Sequence, residues 1–436
     1  METIKVGLIG YGTIGQGVIR LLRENEADIT ARLGARLALA GVADVDIDRP
    51  RKVKVKRGLL TTDPYRLIND PDVPIIVELV GDWPNVKKQV IDALRAGKSV
   101  VTANKALLAK HGDEIDRAAR EAGQDVYYEA AVCGTIPIIR VLREGLAANR
   151  IEAVYGIVNG TCNYILTEMS AGRGDYADIL AAAQQKGYAE ARPEADVEGY
   201  DASHKLAILI NLGFGVPVKL NQIHREGITR VTAGDIMAAK HLGYTIKLLA
   251  IAKRTPAGLE ARVHPTLIPD SSTLASVNGV FNAVYVVGNM SGPTLYYGRG
   301  AGQDPTAAAV VADVMELARR ILRGDPPRRL PSGAFRDGHR PDLKVLDVKQ
   351  IETEYYLNMN VADRPGVLAQ VAGALGKNQI SIRTVIQRNR EKGLEATIVI
   401  VTHRAREANM IKALAAFKSL KMVRGPVRMI RIENNI

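Results

Sequence analysis

The chain has 436 residues, 47% hydrophobic and 24% charged, values of an ordinary globular protein long enough for two or three cores. No apolar run approaches the roughly 20 residues of a membrane span, and Cys133 and Cys162 alone cannot form a disulfide scaffold, so a reducing cytoplasm is the expected location. The formal net charge is +12, but the charges are scattered singly and only 4 Phe and 1 Trp could stack on bases, so neither nucleic acid nor a membrane is an expected partner.

The opening "IKVGLIGYGTIGQGVIRLLREN" has no signal-peptide pattern. It reads as an apolar strand, then Gly10-x-Gly12-x-x-Gly15 with Thr13 and Ile14 inside the motif, then a helix with Val18, Ile19 and Leu22 on one face. Gly10 suits a tight turn, Gly12 lets the backbone approach a pyrophosphate, and Gly15 lets helix and strand pack closely. The helix N-terminus then offers N–H groups to the anion. A second strand, "RLALAGVAD", ends at Asp44, where an acid can hold a ribose 2′-hydroxyl and favour NAD. Arg49, Arg51 and Lys52 follow at once and suit a 2′-phosphate, favouring NADP, so both cofactors stay open. Strands over 73–81 and 98–108, with a helix over 85–97 between them, complete a doubly wound parallel sheet. Thr102 and Lys105 fall at a strand C-terminus, on the cofactor crevice. Residues 1–130 form this nucleotide-binding domain, completed by a returning helix near 305–324.

Residues 131–324 read as an α+β domain, the expected place of the chemistry and, by the resemblance given below, of oligomerisation. Its stretch "RIEAVYGIVNGTCNYIL" reads strand, turn, helix, and Glu190, Glu194, Asp196 and Glu198 crowd ahead of "GYDASHKLAILINLG". That last segment is a helix about to be buried. Acids ahead of a helix satisfy its dipole, but the dipole does not explain Lys205, one turn after Asp201 at the mouth of an apolar run. An ammonium there is costly unless it is paired or useful. Residues 325–350, rich in Pro, Gly and Arg, read as a linker. Residues 351–436 then run strand, helix, strand, strand, helix, strand, a ferredoxin-like order.

"VVTANKALLA", "EAAVCGTIPII", "NGTCNYIL", "GYDASHKLAIL" and "AGQDPTAAAVVAD", in that order behind the glycine motif, resemble homoserine dehydrogenase over essentially the whole chain. The resemblance implies NAD(P)H-dependent interconversion of L-aspartate 4-semialdehyde and L-homoserine, on the route to threonine, methionine and isoleucine. It implies that Lys205 is the acid/base, that Lys105 is the second lysine of the site, and that Glu190 and Asp201 bind the substrate, with Asp196 in the same polar network. Gly187 and Gly302 match positions that close on the cofactor. Carbonyl oxygens of Glu129, Val132, Gly134 and Ile136, with the glutamate, match a sodium site. "DRPGVLAQVA" resembles an ACT domain, with Asp363 and Gly366 at its ligand turn; this implies threonine feedback and a homodimer or homotetramer. Two other readings compete: a thiol-dependent aspartate-semialdehyde dehydrogenase using Cys133 or Cys162, and a non-catalytic amino-acid sensor, which leaves Lys105 and Lys205 unexplained.

Overall fold

The computed structural model describes every residue except 82, 326–334, 336–338 and 390–394. The described chain divides into two compact units: Met1–Val154 with Ser203–Asn221 and Phe281–Leu343, and Tyr155–Ala202 with Gln222–Val280 and Lys344–Ile436. Among the described residues no helix is long and apolar enough to cross a membrane.

The first unit opens with β1 (Thr3–Ile9), α1 (Thr13–Glu24), α2 (Glu26–Leu33) and β2 (Arg36–Ala43), followed by β3 (Leu60–Thr61) and α3 (Tyr65–Ile68). Then come β4 (Ile75–Glu78), α4 (Val86–Arg95), β5 (Ser99–Thr102), α5 (Lys105–Ala122) and β6 (Val126–Tyr127). The strands form a parallel sheet in the order β3-β2-β1-β4-β5-β6. Burial on both faces explains why Ile75, Ile76 and Val77 of β4, and Val100 and Val101 of β5, are apolar without alternation. The strand expected over 98–108 is shorter. It stops at Thr102 because the Asn104 side chain accepts from Leu107 N–H at 3.0 Å and caps a helix that begins at Lys105.

Next in the chain are α6 (Ile138–Arg140), β7 (Ile151–Ile157), α7 (Gly160–Ser170), α8 (Tyr176–Gln185), α9 (Glu194–Val197) and α10 (Tyr200–Phe214). They are followed by β8 (His224–Arg225), α11 (Ala233–His241), β9 (Tyr244–Thr255), β10 (Gly258–Pro269), β11 (Phe281–Gly288), β12 (Gly292–Arg299) and α12 (Gln303–Arg323). Within the first unit α12 packs on α1, and its Ala307, Val310 and Val314 share a core with Val18 and Leu22. A Cβ on Gly17 would sit 3.0 Å from the Ala307 Cβ, so the glycine sets how closely the two helices approach.

The second unit ends with β13 (Glu352–Ala362), α13 (Val367–Lys377), β14 (Ile382–Asn389), β15 (Glu395–Thr402), β16 (Ala405–Arg406), α14 (Glu407–Ser419) and β17 (Val423–Ile432). The antiparallel order β17-β13-β15-β14 is ferredoxin-like, with helices on the face made by Tyr355, Leu357, Met359 and Val361. The sheet does not end there: β17 also pairs in parallel with β10, Thr266 opposite Arg431 and Leu267 opposite Ile432. Part of the expected linker is ordered too. Leu259 N–H donates to Lys344 O at 2.8 Å, Leu346 N–H donates back at 2.9 Å, and Asp347 caps a single turn over Val348–Gln350. The rest of that segment, 326–334 and 336–338, lies outside the described residues.

One buried lysine in this unit yields a stability prediction. Lys247 on β9 is 1% exposed and donates to Asn163 Oδ1 at 3.2 Å and Asn278 Oδ1 at 3.1 Å. Burial pulls its amine down to about 8. An unfolded chain therefore binds the proton more readily between pH 8 and the ordinary lysine value, and stability rises with pH across that window. Lys247→Met loses this gain, so its deficit against wild type in urea unfolding widens by on the order of 3 kcal/mol from pH 8 to about 10.4. A constant deficit would show that the lysine stays charged.

Candidate active site

The nucleotide end of the first unit is built from glycine geometry. Gly10 leaves β1 at φ +106°, and a Cβ there would lie 2.8 Å from the Leu79 carbonyl. A Cβ on Gly15 would sit 2.1 Å from Gly10 O, whereas one on Gly12 would meet nothing within 4 Å. Gly12 is thus the open approach and caps α1 without a side chain, leaving the first turn, with Thr13 and Ile14, facing outward.

Asp44 is more committed than its place at the end of β2 suggested. Its carboxylate accepts from Tyr11 N at 2.6 Å, from Asp46 N at 3.0 Å and from Arg51 Nη2 at 3.1 Å. The Arg51 guanidinium lies 4.4 Å from the centre of the Tyr11 ring and donates to Tyr11 O at 2.8 Å. The acid and the arginine were rival readers of the ribose; here they are partners.

Thr102 also departs from its expected role. It is fully buried and its hydroxyl donates to Glu78 Oε2 at 2.6 Å, so it shapes the crevice and is not exposed to a cofactor. Glu78, which the sequence reading passed over, accepts from Val80 N at 2.7 Å as well, and its burial pushes the carboxyl above the usual range. Asn104 Nδ2 reaches Gly81 O at 2.5 Å, closing a polar lattice across the ends of β4 and β5. Lys105 opens α5 immediately beside that lattice.

The continuous helix α10 carries both Asp201 and Lys205, each 8% exposed, one turn apart on the same face. In the second unit Asn159 Nδ2 donates to Asp196 Oδ1 at 2.8 Å and to Asp201 Oδ2 at 2.9 Å. Its Oδ1 accepts from Cys162 N at 2.9 Å and caps α7. Asn159 is the second residue the sequence reading missed; its signal was the "NGTCNYIL" turn directly ahead of a helix. Asp196 also accepts from Thr161 Oγ1 at 3.2 Å. Glu190 is exposed, with its main-chain oxygen accepting from Gln184 Nε2 at 3.0 Å, whereas Asp196 and Asp201 are bridged by Asn159. Gly187 follows α8 at φ +72°, and Gly302 caps α12 at φ +119°.

At the expected cation site, the Glu129 carboxylate is already spent on Ile139 N at 2.8 Å and Arg140 N at 2.9 Å. Its side chain fixes the start of α6. Ile136 O already accepts from Ile138 N at 2.7 Å, while Val132 and Gly134 offer main-chain oxygens beside the left-handed pair Cys133 and Gly134, at φ 58° and 55°. Buried carbonyl oxygens suit a hard cation, so the donor set fits sodium through main-chain oxygens.

The thiols do not look like nucleophiles. Cys162 is fully buried and donates to Asp196 O at 3.2 Å, and Cys133, 1% exposed, accepts from Asn282 Nδ2 at 3.5 Å. Asp363 accepts weakly from Gln387 Nε2 at 3.4 Å, and Gly366 caps α13 at φ +87°.

Comparison with known proteins identifies related chains. Residues 10–129 match the family model "Homoserine dehydrogenase, NAD binding domain", residues 137–315 match "Homoserine dehydrogenase", and residues 355–421 match "ACT domain". A homoserine dehydrogenase of Pseudomonas aeruginosa is 45% identical over 436 residues, covering 99% of each chain. The crystal structure of a homoserine dehydrogenase from Thiobacillus denitrificans superposes with a TM-score of 0.93 at 45% identity, covering 100% of this chain and 99% of that one. A hyperthermophilic archaeal homoserine dehydrogenase mutant in complex with NADPH is similar at a TM-score of 0.62 and 25% identity, over 75% of this chain and 100% of that one.

Proposed function

The chain belongs to the homoserine dehydrogenase family of NAD(P)-dependent oxidoreductases and carries a C-terminal ACT domain, and from that premise we propose how its own residues perform and regulate the reaction. The carrying observation is α10, which places a largely buried lysine one turn after a largely buried aspartate. When bound, the nicotinamide supplies a hydride to the aldehyde carbon of L-aspartate 4-semialdehyde. Negative charge gathers on the carbonyl oxygen; the Lys205 ammonium stabilises it and delivers the proton that completes L-homoserine. In the reverse direction the neutral Lys205 amine takes the hydroxyl proton. Asp201 and Glu190 bind the substrate ammonium; Asn159 holds Asp201 in orientation, with Asp196 as the other end of that brace. Lys105, at the start of α5, is the second cation of the site. Backbone oxygens of Glu129, Val132, Gly134 and Ile136 would hold a sodium ion, which would supply a positive charge to tie that turn together.

The cofactor is NADP(H) in preference to NAD(H). Arg51 compensates Asp44, whose oxygens already serve three donors, and Arg49 and Lys52 stand nearby to meet a 2′-phosphate. Arg51→Ala frees the carboxylate to bind a ribose diol and repel a phosphate. The ratio of kcat/KM for NADPH over NADH should fall by about tenfold or more, measured in steady state with both coenzymes. An unchanged ratio would remove Arg51 from the selection.

The enzyme works in the cytoplasm, in the biosynthesis of threonine, methionine and isoleucine, as a homodimer or homotetramer. Self-association is supported by β12, which lies at the end of its sheet and exposes Leu295 and Tyr297 in alternation. Threonine acts as effector at the ACT turn of Asp363 and Gly366, shifting the population between two states. The direct test is oxidation of NADPH and NADH by the purified chain with L-aspartate 4-semialdehyde, with and without threonine. Absence of turnover from folded, nucleotide-binding protein would overturn the reading.

A further inference from the structure

The chain contains one tryptophan, Trp83, which stands five residues beyond the end of β4 and is 54% exposed. A single exposed apolar side chain is ordinary on a protein surface; its place beside the sheet is what gives this one meaning. In the order β3-β2-β1-β4-β5-β6 the chain reverses its direction of travel between β1 and β4. In such sheets a ligand lies in the crevice beyond the carboxyl ends of the strands at that point. Trp83 is carried by the loop that leaves β4 there.

Two sets of contacts fix that loop. Its start lies against the glycine turn: a Cβ on Gly10 would sit 2.8 Å from the Leu79 carbonyl and 3.1 Å from Val80 N, and Leu79 N–H donates to Ile9 O at 2.8 Å. Further on, Gly81 O accepts from Trp83 N–H at 2.9 Å and from Asn104 Nδ2 at 2.5 Å. The loop is thus tied to the turn that suits a pyrophosphate and to the residue before Lys105. The direction of a bound dinucleotide follows from the strand order. Asp44 and Arg51 stand beyond β2, on one side of the glycine turn, and Trp83 stands beyond β4, on the other. A coenzyme with its adenosine ribose beyond β2 and its pyrophosphate at β1 carries its nicotinamide beyond β4.

We propose that Trp83 supplies an aromatic surface for the nicotinamide ring, an assignment that rests on the coenzyme reading given above. An indole offers a large apolar contact area with only two side-chain torsions to freeze. Its face also attracts cations. The oxidised nicotinamide ring carries a positive charge and the reduced ring carries none. Trp83 therefore favours NADP⁺ over NADPH more than an aliphatic side chain at the same place would.

The test compares NADP⁺ with 2′-phospho-ADP-ribose, which lacks only the nicotinamide ring. Binding to the full-length protein is followed by isothermal titration and by the emission of its single tryptophan. Saturation with NADP⁺ should change the emission, and saturation with the fragment should leave it unchanged. Trp83→Leu should weaken NADP⁺ by about threefold or more and NADPH by less. The same variant should bind the fragment with unchanged affinity, which also shows that it folds. Trp83→Phe should keep part of the NADP⁺ affinity. If NAD⁺ is the coenzyme that binds, NAD⁺ and ADP-ribose take the same two places. The assignment is overturned if saturating coenzyme leaves the emission unmoved, if the fragment moves it equally, or if Trp83→Leu weakens coenzyme and fragment alike. Failure of both coenzymes to bind in calorimetry would instead bring down the coenzyme reading, and the assignment of Trp83 with it.

Discussion

Lys205→Ala should lower kcat for aldehyde reduction by about 10²–10⁴-fold, the span a positioned general acid contributes, while the affinity for NADPH stays within about twofold. The reason is local. Lys205 lies on α10, 8% exposed, four residues after Asp201, and the oxygen that gathers charge during hydride transfer needs a cation and a proton at one point. The proposed NADPH site is the turn of Gly10, Gly12 and Gly15 with the pair of Asp44 and Arg51, none of which involves α10. Titration of coenzyme against wild type and variant separates the outcomes. Joint loss of kcat and coenzyme binding would make Lys205 a structural residue.

The same assignment fixes the sense of the pH dependence. Homoserine oxidation needs the neutral amine to accept a proton, so its rate should climb as pH rises from 7 to 10, and the climb should vanish in Lys205→Ala. A flat wild-type profile would remove the lysine from the proton path. Asn159→Ala offers a contrasting readout. It unties Asp201 from Asp196 without touching the proton donor, so KM for homoserine should rise by more than kcat falls, with the pH profile unchanged.

Much of this was legible in the residues because each signal was local. Gly10, Gly12 and Gly15 declare themselves through a steric demand within six residues, and Lys205 through its mismatch with an apolar helix. What escaped was set by side chains distant in sequence. Nothing near Asp44 announces that Arg51 will fold back over Tyr11 and take the carboxylate that the fold motif reserves for a ribose. Thr102 has the right position but is turned inward by Glu78, a residue of another strand. Nothing in "EAAVCG" announces that the Glu129 side chain will accept from amides ten and eleven residues on. The long hairpin of β9 and β10 has no counterpart in the sequence reading, and neither does the pairing of β17 with β10. An apolar run shows that a strand will be buried, not which strand will lie beside it.

Arg262→Met should be among the most destabilising single substitutions in the second unit, costing about 3–5 kcal/mol, the usual result of stripping the partner from buried charges. Arg262 on β10 is 1% exposed; it donates to Glu260 Oε2 at 2.8 Å, to Glu433 and to His264 Nε2 at 2.8 Å. Glu433 follows β17 and binds back to Leu267 O through its own N–H at 3.0 Å, so the arginine pins the ACT strand where it joins β10. Burial alone would raise the Glu433 carboxyl; the Arg262 charge, with Lys253, outweighs it and holds the carboxyl below the usual range. In wild type this term is present at neutral pH and fades as pH falls through the depressed value. In Arg262→Met the sign reverses: Glu433, left with only the partly exposed Lys253, and Glu260 become easier to protonate, so acidification relieves the variant. Urea unfolding of both proteins at pH 7 and pH 5 should therefore show a gap that narrows on going to pH 5. A gap that stays constant, or is under about 1 kcal/mol at pH 7, the scale of an exposed pair, would mean that water reaches this cluster. Glu260→Gln with Glu433→Gln in the Arg262→Met background should then recover part of the loss, because the penalty lies in the stranded carboxylates and not in the missing arginine.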